Sequence, residues 1–127
     1  MAMTKGRATS PSAADLAPAA ALFRGLSDPT RLAILQRLTE GEARVVDLTR
    51  VLGTAQSTVS AHLACLRECG LVTGRPEGRQ MFYSLPRPEL MDLLASAESL
   101  LAATGNQVVL CSIYGADATK KATVTKK

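Results

Sequence analysis

Residues 45 to 69 read VVDLTRVLGTAQSTVSAHLACLREC, two short apolar-periodic segments on either side of Gly53, and the fold turns on that junction. In the first segment Val45, Leu48 and Leu52 recur at helical spacing; in the second, from Gln56 to Cys69, Val59, Leu63 and Leu66 do so. Gly53-Thr54-Ala55 leaves room only for a tight connection. Two short helices joined through a Gly-containing turn of about three or four residues form the helix-turn-helix pattern, whose second helix enters the DNA major groove. That same helix carries two cysteines, Cys65 and Cys69, four residues apart.

Upstream, Leu16, Ala20, Phe23 and Leu26 predict a first helix over Ala13 to Leu26 with one buried stripe. In the next segment Asp28 suits an N-cap and Pro29 the first helical position, with Leu32, Leu35 and Leu38 on one face and Gly41 as the stop. Downstream of Gly70 the period changes. Two extended runs flank Glu77-Gly78-Arg79, with Met81, Tyr83 and Leu85 alternating against Phe82 and Ser84, which predicts a β-hairpin carrying Arg75 and Arg79 at its tip. Pro88 opens a last helix to about Ala103, apolar at Leu90, Leu93 or Leu94, Ala97, Leu100 and Leu101, and closed by Gly105-Asn106. The fold class is therefore mainly α with a small β-hairpin: a winged helix-turn-helix of about five helices plus a wing. It occupies residues 13–105. Residues 1–12 read as a disordered N-terminal arm, 106–115 as a docked C-terminal segment and 116–127 as a disordered basic tail with four lysines.

A chain of 127 residues has room for one core, and with 46% hydrophobic residues, only 3% aromatics and no Trp, that core must come from Leu, Val, Ile and Ala. The net charge of +4 biases partners toward polyanions. No apolar run resembles a signal peptide or approaches the roughly 20 residues that span a bilayer, so a cytoplasmic location without a membrane partner is expected. An enzyme is not: the chain has one His, no nucleophile elbow, no phosphate loop and no paired-carboxylate motif.

On the second helix of the helix-turn-helix, Gln56, Ser57, Thr58, Ser60 and Ala61 are small or polar and suit base edges and phosphates. Gln pairs bidentately with adenine; Ser57, Ser60, Arg75 and Arg79 suit phosphates. His62 is assigned to the DNA-facing set or to packing. Cys65 and Cys69, one helical turn apart, have Cβ atoms about 5–6 Å from each other, within reach of one shared ion. Sulfur ligands select soft ions over Mg(II), Ca(II) or Mn(II). Two other roles stay open for these thiols, packing as small hydrophobes and oxidant sensing. In QVVLCSIY, Val108, Val109, Leu110, Ile113 and Tyr114 are too apolar to trail in water, so this segment is expected to fold back onto the body and carry Cys111 with it.

The order of elements, with LSDPTRLAILQRL, STVSAHLACLRECGLV and EGRQMFYSL spanning roughly residues 16 to 103, resembles the ArsR/SmtB family of bacterial winged-helix repressors. The resemblance implies a homodimer held by the first and last helices, through Leu16, Phe23, Leu93, Leu94, Ala97, Leu100 and Leu101. It also implies an inverted-repeat, double-stranded DNA operator that the dimer leaves when an inducer binds. Among the family's metal sites, the one on the third helix needs a cysteine pair where this chain has Val45-Val46, and the one on the last helix needs His, absent after His62. Cys65, Cys69 and Cys111 resemble instead the cadmium- and lead-sensing subgroup known as CmtR, in which two cysteines of the recognition helix and one of the partner subunit's C-terminal segment hold the metal. That likeness implies Cd(II) or Pb(II) as inducer, with Zn(II) possible. A thiol-based redox-sensing repressor and a metal-independent winged-helix repressor with structural cysteines are the alternatives.

Overall fold

Among residues 12–110, the part of the chain that the computed structural model describes, five helices and three short strands follow one another. They are α1 (Ala13–Gly25), α2 (Pro29–Leu38), β1 (Ala43–Arg44), α3 (Val45–Leu52), α4 (Gln56–Glu68), β2 (Thr73–Glu77), β3 (Gln80–Ser84) and α5 (Pro88–Ala103). Cysteine 111 and the segments 1–11 and 112–127 lie outside the described residues.

Local chemistry sets the helix ends. Ser12 Oγ accepts from Asp15 N–H at 3.2 Å while Asp15 accepts from Ser12 N–H, a capping box that starts α1. Asp28 Oδ2 accepts from Arg31 N–H at 3.0 Å, with Pro29 at the first helical position of α2. Asp47 accepts from both the backbone and the guanidinium of Arg44, at 2.8–3.0 Å, and these bonds hold its carboxyl well below the usual carboxylate range. The turn between α3 and α4 needs its glycine, because Gly53 sits at φ 64°, where a Cβ is strained, and its N–H closes α3 on Thr49 O.

Ile34, Leu35, Leu48, Val59, Leu63 and Leu66 are fully buried, so α2, α3 and α4 meet on a wholly aliphatic core that Leu71, Val72, Leu90 and Leu94 extend to α5. Each such side chain contributes about 1.5–3 kcal/mol relative to exposure. Ile34 joins Leu35 and Leu38 on the inward face of α2, with Leu32 at its edge. The wing is a three-stranded antiparallel sheet in the order β1-β3-β2, not a bare hairpin: Ala43 pairs with Tyr83 and ties the start of the helix-turn-helix to the wing.

The expected buried stripe on α1 is corrected. Leu16 and Phe23 are 50% and 58% exposed in the single subunit, and the inward contacts come from Leu22, Gly25 and Leu26. Phe23 stands about 100° around the helix from Leu22, which turns it away from the core that Leu22 meets. Leu100 of α5, 67% exposed, is likewise uncovered, whereas Leu94 belongs to the subunit's own core rather than to a free face. No helix among the described residues is long and apolar enough to cross a membrane.

Candidate functional site

The N-terminal half of α4 displays Gln56, Ser57, Thr58, Ser60 and Ala61, all exposed, while Val59 and Leu63 anchor the same helix from behind. The residue before α4 is Ala55, which supplies no side-chain cap, so the first-turn N–H groups keep their positive end toward solvent. Small hydroxyls over an uncapped helix N-terminus suit a phosphate backbone, and the amide of Gln56 suits a base edge.

His62 departs from this surface, and of its two expected roles the geometry favours packing. Its ring is largely covered and turned toward α2, with Nδ1 3.3 Å from Arg31 Nη1 and Nε2 3.7 Å from Asp28 Oδ2. Arg31 also donates through Nε to Gly25 O at 2.8 Å and through Nη2 to Arg24 O at 2.9 Å, closing the last carbonyls of α1. One guanidinium thus joins the end of α1, the start of α2 and the middle of α4. The bond from Arg31 N–H and the neighbouring His62 hold the Asp28 carboxyl below its ordinary value.

The wing arginines differ from one another. Arg79 sits exposed in the turn and has no ion-pair partner among the described residues. Arg75 is not at the tip: it pairs with Phe82 across the sheet, donates twice to Glu42 at 2.8 and 3.1 Å and once to Glu77 at 2.6 Å, and stacks 5.1 Å from the Phe82 ring centroid. Those carboxylates neutralise it and raise its pKa further. Arg79→Ala is therefore expected to weaken operator binding and to reduce the slope of log affinity against log salt by about one. Arg75→Ala should leave that slope unchanged; anisotropy titrations at several salt concentrations measure both.

Cys65 on the last turn of α4 and Cys69, the residue capping its C-terminus, are free thiols, both half-buried. The Cys69 S–H donates to Ala21 O at 3.9 Å, and its sulfur lies against Gly25 at the end of α1. Cys69 also lines an open cleft of about 420 Å³ between α1, α4 and α5, walled by Leu22, Leu71, Leu90 and Leu93 with Arg87 and Glu89 among its lining residues. Burial, then the charge of Cys65 and hydrogen bonding with it, push the Cys69 thiol up, and Arg31 opposes the shift. Two sulfurs this close fit a soft ion but leave it under-coordinated. Among the described residues no group of three or more His, Cys, Asp or Glu able to hold a metal occurs. Cysteine 111, the expected third ligand, is outside them.

Of the dimerisation set, Leu16, Phe23 and Leu100 are exposed, Leu93, Ala97 and Leu101 half-buried, and Leu94 buried. Arg31 and Glu42 escaped the sequence reasoning. Only Asp28, placed at the N-cap of the helix that holds Arg31, hinted at any of their contacts.

Residues 28–73 match the family described as bacterial regulatory protein, arsR family. A probable mercury resistance operon repressor of Streptomyces lividans is 38% identical over 93 residues, covering 73% of this chain and 74% of that protein. The chain belongs to the ArsR family. A second ArsR relative, the transcriptional regulator CmtR of Mycobacterium tuberculosis, is 43% identical over 84 residues, 66% of this chain and 71% of that one. Among solved structures, the homodimeric winged helix-turn-helix DNA-binding domain of a possible ArsR-family regulator from Mycobacterium bovis superposes with a TM-score of 0.66 at 31% identity, covering 71% of this chain and 83% of that one. The ArsR chain described here is thus a winged helix-turn-helix transcription regulator and not an enzyme.

Proposed function

We propose that this chain is a metal-responsive repressor that binds an inverted-repeat operator as a homodimer and is released when Cd(II) or Pb(II) binds Cys65, Cys69 and Cys111. Zn(II) is the harder, weaker alternative for the same thiolates. The observation that carries the proposal is the pairing of two free thiols, one turn apart, on the same helix that displays Gln56, Ser57, Thr58 and Ser60. A two-fold axis would set two copies of α4 in successive major grooves about 34–36 Å apart. An ion that draws Cys65 and Cys69 toward a third sulfur acts on the reading helix without any intermediary.

Release requires the metal to bind the DNA-free conformation more tightly than the DNA-bound one, by the coupling free energy between the two sites. Cys69 supplies a physical basis for such a difference. It is packed against Ala21 O and Gly25 at the end of α1, so engaging its sulfur must loosen the contact between α1 and α4. The likeness to the CmtR subgroup and to a mercury resistance operon repressor supports a soft metal as the inducer.

The test is fluorescence anisotropy of the reduced full-length protein on DNA from its own upstream region, titrated with Cd(II). Release at one ion per subunit is the expected result. Retention on DNA at saturating Cd(II), with release by peroxide, would replace the metal by an oxidant as the signal.

A further inference from the structure

Few contacts hold α1 to the rest of the subunit. Of its residues only Gly25 is buried, and the apolar contacts with the core come from Leu22 and from Leu26 at the C-cap. The Cys69 thiol adds a weak tie, 3.9 Å from Ala21 O. The strong tie is polar: Arg31, in the first turn of α2, donates through Nε to Gly25 O at 2.8 Å and through Nη2 to Arg24 O at 2.9 Å. The last carbonyls of a helix have no partner within it and carry its negative end, so a guanidinium set across them is favoured on both counts.

The remaining nitrogen of the same fork reaches α4. Nη1 lies 3.3 Å from His62 Nδ1; because a guanidinium only donates, Nδ1 is the acceptor and the ring proton sits on Nε2, facing Asp28 Oδ2 at 3.7 Å. Asp28 in turn accepts from Arg31 N–H at 3.0 Å. His62 directly follows Ser60 and Ala61, which are displayed to solvent, so a fixed His62 ring fixes the angle at which those residues are presented. Arg31 is a planar bracket between two helices with different duties: α1 carries the exposed Leu16 and Phe23, and α4 the DNA-reading face.

We propose that Arg31 is a positioning residue that sets the angle of α4 to α1, and through it the half-site spacing that the dimer accepts. The proposal rests on the homodimeric, inverted-repeat reading above. In a two-fold dimer joined through α1, the separation of the two α4 helices follows from how each is held to its own α1, and any tilt enters twice. The two helices enter successive major grooves about 34–36 Å apart, and one base pair more or less turns a half-site by about a tenth of a helical turn. A loosened α4 fits several spacings but must be ordered each time it binds, which lowers affinity for the right one.

The experiment uses the reduced full-length protein and the operator footprinted within its own upstream region. Fluorescence anisotropy at several salt concentrations gives the affinity for that operator, for versions with one base pair inserted or removed between the half-sites, and for unrelated duplex of equal length; sedimentation gives the oligomeric state. The wild type is expected to prefer the native spacing by at least about tenfold. His62→Leu, which removes the acceptor, and Arg31→Lys, which keeps the charge but loses the planar fork, should each lower native-operator affinity about tenfold and flatten the preference among spacings. Dimerisation, affinity for unrelated DNA and the salt slope should stay as in the wild type. His62→Asn, whose side-chain oxygen stands in for Nδ1, should keep both affinity and preference, and the His62→Leu/Arg31→Lys double variant should be no worse than either single change. Unaltered operator affinity and spacing preference in both single variants, beside a wild type that is dimeric and spacing-selective, would overturn the bracket alone. An equal loss on operator and unrelated DNA, with a lowered melting temperature, would reduce Arg31 to a stabilising role and overturn it too. A wild type that is monomeric or indifferent to spacing would overturn the inverted-repeat reading and the bracket together.

Discussion

Cys69→Ser is expected to leave the metal-free protein on its operator while raising the Cd(II) concentration needed for release at least about a hundredfold, because a hydroxyl is a poor ligand for a soft ion. Serine is close to cysteine in size, so the packing of α4 against the end of α1 should survive, although its hydroxyl is too short to replace the 3.9 Å contact of the thiol with Ala21 O. Cys65→Ser should act in the same direction, since either sulfur alone leaves the ion one thiolate short. Release requires the affinity for metal to differ between the free and DNA-bound states, and couplings of this kind are typically 5–150-fold. A hundredfold loss of metal affinity therefore removes release over the range in which the wild type responds. Anisotropy on operator DNA under reducing conditions, with Cd(II) buffered by a chelator, measures it. Release of Cys69→Ser at the wild-type Cd(II) concentration would leave the two cysteines a packing role only.

The helix-turn-helix was legible because its inward residues are strictly periodic and because Gly53 can hold a left-handed turn that other residues resist. β1 was not legible, since two residues carry no period, and its pairing of Ala43 with Tyr83 depends on a strand forty residues later. The face of α1 was misassigned for a different reason. Leu16, Ala20 and Phe23 form as regular a stripe as Leu22 and Leu26, and periodicity alone does not say which stripe meets the subunit's own core. Arg75 looked like a phosphate contact because basic residues on a wing suit one; Glu42, thirty-three residues away, neutralises it. The hydrogen bond from Gln36 to Val109 O carried no signal in the sequence. It joins α2 to a backbone group seventy-three residues away, and no local pattern encodes a side chain's bond to a distant peptide.

The uncovered stripe on α1 carries the second large effect. Leu16 and Phe23 on α1 and Leu100 on α5 are each at least half exposed in the single subunit. Large exposed apolar side chains on the first and last helices suit an association surface. In a two-fold dimer every interface residue counts twice, and with each Phe23 58% exposed in the single subunit, covering both contributes about 2–3 kcal/mol, a little over half of the about 1.5–3 kcal/mol for each fully exposed side chain. In the proposed homodimer Phe23→Glu forfeits that burial and places a carboxylate from each subunit in the interface, so the variant is expected to sediment as a folded monomer. Its affinity for an inverted-repeat operator should then fall about 10²–10⁴-fold, because the second half-site is no longer bound through a linked partner. Phe23 lies outside the aliphatic core of Ile34, Leu35, Leu48 and Leu66, so the helical circular dichroism should persist. A folded Phe23→Glu protein that remains dimeric and binds the operator as tightly as the wild type would move the interface away from α1.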